Sequence, residues 1–184
     1  MDLSKMMPEA EVSLRVAIFL IRKGLAAEDV QVAIDGAQVK TTQMIHFAIA
    51  EFLRDSDWSK STAEGRWQGE YSNSRYCKKI IIHSNPGQGD VYAPLTSGRV
   101  LRVECKKGPL SRSKSSQEYP LLREALGQLL TVAEVGENDL LAVAVPESPK
   151  FTELAGRWRR APLIDRFGIC ILTVGRDGIV QGLP

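Results

Sequence analysis

The sequence predicts an α/β protein in which helices flank a mixed β-sheet. Residues 99–145 supply the main observation, because an alternating segment, an amphipathic helix pattern and an apolar run follow one another there. The run at 140–145 is continuously apolar, as expected of a strand that is covered on both faces. A strand–helix–strand crossover of this kind places its two strands parallel. With 184 residues, of which 43% are hydrophobic, the chain is long enough for one core and short for two.

The N-terminal part predicts a helix followed by a hairpin. Residues 8–24 begin with a proline and acidic residues and end with basic residues and a glycine, which is typical of a helix. Two apolar stretches, 30–34 and 37–39, then flank the dipeptide Asp35-Gly36. Because Asp-Gly between two such stretches is a turn signal, we predict that they pair as a short hairpin.

Residues 43–54 have a helical spacing of apolar side chains and predict a second helix with a wide buried face. Residues 55–75 are a polar interruption, and they predict either a long loop or a loosely packed hairpin. We therefore divide the chain into an N-terminal helix-and-hairpin extension, residues 1–41, packed on a core domain of residues 42–184.

The C-terminal half predicts two further helices and a final strand. Residues 116–135 predict an amphipathic helix of about five turns, ended by Gly136. Residues 152–167 predict a helix that is broken or kinked near Pro162. Residues 168–174 are almost wholly apolar and predict a last buried strand.

Candidate functional side chains lie in two short neighbouring segments. Asp90 belongs to the first, and Glu104 and Lys106 belong to the second with the spacing Glu-x-Lys. Since side chains alternate along a strand, Glu104 and Lys106 share one face, opposite an apolar one. Two carboxylates on adjacent strands with an ammonium nearby can hold a divalent cation and activate a water for hydrolysis of a phosphodiester. The alternative is a solvated ion-pair face, because an acidic-x-Lys tripeptide is expected about once by chance in such a chain.

The order of the segments KKIIIHS, GDVYA and RVLRVECKK before a long amphipathic helix resembles the PD-(D/E)XK, or restriction-endonuclease-like, nuclease superfamily. The resemblance covers roughly residues 42–184. It implies that Asp90 is the first metal-binding carboxylate, Glu104 the second and Lys106 the catalytic lysine. The chain departs from the family pattern at Gly89, where that pattern has proline.

The resemblance implies a phosphodiesterase of the deoxyribonuclease type that uses Mg²⁺, with Mn²⁺ as a substitute, and an endonuclease acting on DNA. The superfamily also includes members that cleave RNA, resolve junctions or have lost catalysis. Two alternatives therefore stay open. One is an inactive nuclease-like fold that serves as a nucleic-acid-binding or protein-interaction module, and the other is a nuclease for branched DNA or RNA.

Further residues are predicted to belong to the site. The backbone carbonyl of Cys105 and waters are predicted to complete the oxygen ligands of a Mg²⁺ ion held by Asp90 and Glu104. Gln128, within the long helix, stands where related nucleases often have a glutamine beside the active site; simple surface exposure is the alternative. Family members often add an acid from the helix before the first strand, and Glu51 is our prediction for it, followed by Glu11. Either glutamate is alternatively an ordinary surface residue.

The net charge of +2 does not by itself indicate nucleic-acid binding, so the distribution of charge is more informative. Basic residues interleaved with serines follow directly after the catalytic segment. Among them, Lys107, Arg112 and Lys114 are predicted to contact DNA phosphates. Because cutting both strands of a duplex requires two sites, we also predict a possible homodimer.

The sequence predicts a cytoplasmic protein without a membrane partner. It has no run of eighteen apolar residues, and its start has no basic stretch that leads into an apolar segment. The three cysteines have neither a Cys-x-x-Cys spacing nor histidine partners, which favours reduced thiols over disulfides or a zinc site.

Overall fold

The computed structural model describes residues 5–41, 44–61, 66–85, 87–111, 117–132 and 134–184. These residues form one large mixed β-sheet with helices on both faces, accompanied by two small two-stranded sheets. The predicted α/β class with a mixed sheet is therefore confirmed. No helix in the described ranges is long and apolar enough to cross a bilayer.

The strands and helices are numbered in chain order. The strands are β1 (Met6–Met7), β2 (Val30–Ala33), β3 (Lys40–Thr41), β4 (Met44–Ile45), β5 (Ser59–Lys60), β6 (Gly69–Asn73), β7 (Tyr76–His83), β8 (Val91–Pro94), β9 (Val100–Cys105), β10 (Gly108–Pro109), β11 (Asp139–Pro146), β12 (Cys170–Val174) and β13 (Val180–Gln181). The helices are α1 (Glu9–Arg22), α2 (Gly36–Val39), α3 (Ile49–Asp55), α4 (Glu118–Leu129), α5 (Pro149–Trp158) and α6 (Pro162–Arg166).

The large sheet has the strand order β13-β12-β11-β9-β8-β2-β7-β6-β5. Strand β9 is parallel to β11, β11 to β12, and β2 to β7, while the other neighbours in the sheet are antiparallel. The parallel pair of β9 and β11 is connected through α4, which confirms the predicted crossover. The small sheets are β1 with β10 and β3 with β4.

Strand β11 shows why its sequence is continuously apolar. Ala142 and Ala144 are buried in the core that contains α1, whereas Val143 and Val145 are buried in a second core with α4 and α5. A strand with helices on both faces has no solvent side, and both sets of its alternating side chains are therefore apolar. The sheet separates the two cores, with α1 on one face and α4 and α5 on the other.

The predicted hairpin at residues 30–39 is wrong. Strand β2 lies between β7 and β8 in the interior of the sheet, and residues Gly36–Val39 form the short helix α2 instead of a second strand. The Asp35 side chain accepts a hydrogen bond from the Ala37 N–H at 3.0 Å, so the Asp-Gly signal starts a helical turn here. Residues 1–41, which we predicted as an extension, thus contribute an interior strand of the sheet.

Three other segments differ from the prediction in their bounds. The helix predicted for 43–54 begins only at Ile49, because residues 44–45 pair with β3; residue 43 lies outside the described residues. Of the two possibilities for residues 55–75, the hairpin is found, since β5 pairs antiparallel with β6. Helix α4 ends at Leu129, a turn and a half short of the prediction, and Leu130 after it is exposed.

The last two helices are separated as predicted. Helix α5 ends before Pro162, and α6 starts at that proline. Helix α5 begins earlier than predicted because the Ser148 side chain caps it by accepting a hydrogen bond from the Phe151 N–H at 3.3 Å.

Candidate active site

The candidate site lies where the start of β8 meets the end of β9. The strands are antiparallel, with Val91 opposite Val103. Asp90 directly precedes β8, and its backbone N–H donates to the Val103 carbonyl at 2.8 Å. Glu104 is inside β9 and Lys106 directly follows it. The structure therefore brings the three predicted side chains together, and their charges act on one another.

Asp90 is held by the backbone of the neighbouring strand. Its Oδ2 accepts a hydrogen bond from the Cys105 N–H at 2.7 Å. Burial and the nearby Glu104 carboxylate raise the pKa of Asp90 to about 7, although the Cys105 N–H acts in the opposite direction. The backbone thus fixes the position of this carboxylate, while its surroundings disfavour its negative charge.

The glycine before Asp90 has a structural reason. Gly89 has a φ of +86°, and a Cβ at this position would lie 3.0 Å from the Val103 carbonyl oxygen. Proline, which the family pattern has here, fixes φ near −65° and is incompatible with this conformation. Gly89 therefore lets the chain turn sharply into β8 in close contact with β9.

Glu104 faces α4, because its neighbour Val143 on β11 belongs to the core on that side of the sheet. Burial raises the pKa of Glu104, Lys106 lowers it, and Glu9 raises it further. Arg102 shares this face, but its guanidinium is bound to Asp139 at 2.7 Å and lies over the Tyr92 ring. Arg102 therefore already has partners outside the site.

Lys106 is almost fully buried, with 6% of its surface exposed. Its Nζ lies 3.5 Å from Glu9 Oε2 and 3.5 Å from Glu124 Oε1. Burial alone would lower the pKa of Lys106, but the carboxylates of Glu9, Asp90 and Glu124 outweigh burial and the pKa is raised. Lys106 is therefore an ammonium at neutral pH, able to donate hydrogen bonds but not to accept a proton.

Sequence reasoning missed Glu9, which is the acidic residue that an N-terminal helix brings to this site. Glu9 begins α1, and its charge acts on Asp90, Glu104 and Lys106. Glu51, our prediction, is exposed on α3 and is not among the carboxylates that act on these three groups. The topology gives the reason: α1 is the helix that precedes β2, and β2 is the first strand of the large sheet along the chain.

Glu11, the second choice, has a different role. Its side chain is buried and bound by Arg15 at 2.9 Å and by Arg176 at 3.3 Å. Arg176 follows β12, so this cluster connects α1 to the turn between β12 and β13. Glu11 thus stabilises the packing of α1 on the sheet.

Gln128 is exposed on α4 and lies beside Glu104, so its place next to the site and surface exposure, the alternative, are both found. It lines a pocket of about 300 Å³ together with Glu104, Gly87, Gly89, Thr131 and Val132. Gln128 is one helical turn beyond Glu124 on α4, so both residues are on the flank of the helix that borders the site.

The Cys105 side chain is not part of the site. The thiol is fully buried in the core on the α1 side of the sheet, and burial raises its pKa well above the usual range. The predicted role of the Cys105 carbonyl as a metal ligand stays a prediction. Of the predicted DNA contacts, Lys107 is exposed next to the site, whereas Arg112 and Lys114 lie outside the described residues.

The donor set suits a hard divalent cation. Asp90 and Glu104 offer carboxylate oxygens, which Mg²⁺ and Mn²⁺ prefer, and their mutual repulsion in a partly buried site favours a cation between them. Within the described ranges, no three side chains of His, Cys, Asp or Glu already form a compact metal cluster. Any metal here therefore depends on backbone or water oxygens in addition to these two carboxylates.

Comparison with known proteins gives no assignment. No protein-family model matches the chain, and neither a curated protein nor a solved structure matches it. The interpretation of the site accordingly depends on its residues and their geometry.

Proposed function

We propose that the protein is a metal-dependent nuclease that hydrolyses phosphodiester bonds of DNA, with a restriction-endonuclease-like fold. The observation that supports this most directly is the convergence of Asp90, Glu104 and Lys106 at the joined ends of β8 and β9. The resemblance of the strand segments to the PD-(D/E)XK superfamily implies the same three residues. Since Glu9 also belongs to the cluster, the proposed nuclease domain includes α1 and is not limited to residues 42–184.

Asp90 and Glu104 would hold a Mg²⁺ or Mn²⁺ ion, with the Cys105 carbonyl as a further oxygen ligand. When bound, the ion supplies a Lewis acid and lowers the pKa of a coordinated water. The hydrogen bond from the Cys105 N–H keeps Asp90 Oδ2 in place, and among the described residues no hydrogen bond occupies Oδ1. The local geometry is therefore compatible with Asp90 as a ligand.

Lys106 would act as a cation and not as the base. Its raised pKa keeps the ammonium protonated, so it can orient the attacking water and offset the charge that develops on the phosphate. The Glu9 and Glu124 carboxylates that raise this pKa therefore support electrostatic catalysis.

DNA is the proposed substrate because basic residues follow the catalytic strand. Lys107 is exposed directly after Lys106 and is available to a phosphate. Arg112 and Lys114 continue the same basic segment in the sequence. For cutting of both strands of a duplex we further propose a homodimer, which would supply two sites.

A substrate panel tests the proposal. The purified protein is incubated with supercoiled plasmid, single-stranded DNA and RNA in Mg²⁺, Mn²⁺ or EDTA, next to Glu104→Gln. We expect DNA cleavage that needs the metal and is lost in Glu104→Gln. The control is Glu137→Gln, because Glu137 is exposed just before β11 and so lies near the start of β9, at the other end of that strand from the site. This variant should cleave like the parent. Cleavage that persists in EDTA, or none of any substrate by folded parent, would overturn the proposal.

A further inference from the structure

Helix α4 brings a second carboxylate to the ammonium of Lys106. Glu124 Oε1 and Glu9 Oε2 each lie 3.5 Å from Lys106 Nζ. The Lys106 side chain is 7% exposed, whereas that of Glu124 is 56% exposed. Glu124 therefore contacts the ammonium from the solvent side.

The two glutamates approach from different helices. Glu9 is in the first turn of α1, and Glu124 is in the middle of α4. Lysine has a long, flexible side chain, and its compact ammonium lacks the fixed planar geometry of an arginine guanidinium. A single ion pair therefore leaves the side chain several conformations. Two carboxylates on separate helices restrict the ammonium to the position between them.

We propose that Glu124 is a positioning residue which, together with Glu9, holds the Lys106 ammonium at the candidate site. The inference rests on the proposed function, because the lysine that is held is the proposed catalytic lysine. Glu124 would act through Lys106 alone, whereas Gln128, one turn further along α4, borders the pocket next to Glu104.

The kinetic test uses Glu124→Gln, which keeps the length of the side chain and removes its charge. We expect kcat for DNA cleavage to fall about 10- to 100-fold, while KM for DNA stays unchanged. The matched control is Glu153→Gln on α5, since Glu153 also pairs with a lysine, Lys150, at 2.9 Å and is similarly exposed, at 60%. The control should cleave like the parent.

A double variant separates positioning from a direct role. In a Lys106→Met background, Glu124→Gln should cause no additional loss of residual cleavage, because the group that it positions is already absent. A further loss of the same size in the double variant, or parent kcat in Glu124→Gln, would overturn the inference.

A second readout does not depend on cleavage. Acetylation of the folded protein with acetic anhydride, followed by peptide mass spectrometry, reports how readily the Lys106 ammonium is released from its carboxylate partners, because only a deprotonated and accessible amine reacts. We expect faster labelling of Lys106 in Glu124→Gln and no change in Glu153→Gln. Unchanged labelling would overturn the inference even if the parent cleaves DNA. Faster labelling in a protein that cleaves nothing would support the contact and reject the nuclease.

Discussion

Lys106 Nζ lies 3.5 Å from Glu9 Oε2, although the two residues are 97 positions apart in the chain. The contact joins the first turn of α1 to the end of β9. It makes the N-terminal helix part of the candidate active site. Glu9, and not the predicted Glu51, is therefore the candidate for the acidic residue that a helix supplies.

Glu9→Gln should therefore weaken DNA cleavage about 10- to 100-fold, as expected when a charged neighbour of a catalytic group is lost. The matched control is Glu51→Gln, because Glu51 is exposed on α3 and should be replaceable without loss. Initial rates of plasmid cleavage at saturating Mg²⁺ compare the two variants. Equal loss in both, or loss only in Glu51→Gln, would show that Glu9 has been assigned wrongly.

The raised pKa of Asp90 predicts how stability depends on pH. An aspartate titrates near 3.9 in an unfolded chain and at about 7 in this site, so the folded state binds the proton more tightly. Without metal, stability should therefore fall as the pH rises from about 4 to about 7. The full effect is on the order of 4 kcal/mol, and it should be absent from Asp90→Asn.

Urea unfolding of both proteins in EDTA between pH 4 and pH 8 measures this difference. Asp165→Asn is the control, because Asp165 is exposed on α6. The stability of this variant should depend on pH in the same way as that of the parent. Adding Mg²⁺ at pH 8 should stabilise the parent and leave Asp90→Asn unchanged. If the difference in stability between the parent and Asp90→Asn did not change across this pH range, the burial of the Asp90 carboxylate would be contradicted.

Gly89→Ala should be destabilised by about 1–3 kcal/mol, because alanine disfavours the positive φ and its Cβ would meet the Val103 carbonyl oxygen. Gly127→Ala on α4 has open space around its Cβ and should be stabilised by up to about 1 kcal/mol. Midpoints of urea unfolding give both values. If Gly89→Ala were as stable as the parent, the backbone at residue 89 could not pass as close to β9 as the structure has it.

Asp139→Ala should cost about 3–5 kcal/mol, because it leaves the guanidinium of Arg102 buried without its partner. The side chains of this pair are 14% and 6% exposed. By comparison, Glu153→Ala breaks a largely exposed pair with Lys150 and should cost less than about 1 kcal/mol. Thermal unfolding separates the two, and similar small losses would mean that the Arg102 pair is not buried in solution.

Local sequence patterns were enough to predict the β9–α4–β11 crossover and the candidate residues Asp90, Glu104 and Lys106. The helical period of α4 and the apolar run of β11 are contained in contiguous sequence. Alternation along β9 places Glu104 on the face of the strand that the buried Val103 does not occupy. Such signals need no knowledge of distant partners.

The pairing of β2 could not be read in this way. Val30 and Val32 are fully buried because β2 has β7 on one side and β8 on the other, whereas Asp35-Gly36 indicated only a local turn. With β2 assigned to a hairpin, α1 was not recognised as the helix before the first strand of the sheet. The prediction of Glu51, followed by Glu11, depended on that assignment, and Glu9 was not among the predicted residues.

Glu124 also escaped prediction, for a different reason. The spacing of Glu124 and Gln128 puts them on one flank of α4, but the rotation of a helix on its sheet decides what that flank faces. That rotation depends on the packing of Leu122, Ala125 and Leu129 against the core.

The most direct test of the central claim is the rate at which Asp90→Asn cleaves DNA in Mg²⁺, measured at enzyme excess and beside the parent. Asn can still accept the hydrogen bond from the Cys105 N–H, so the fold is kept while the metal-binding charge is lost. The account predicts an unchanged circular dichroism spectrum and cleavage reduced at least about 1,000-fold. Cleavage at the parent rate would contradict the assignment of Asp90 as a metal ligand in a phosphodiesterase site.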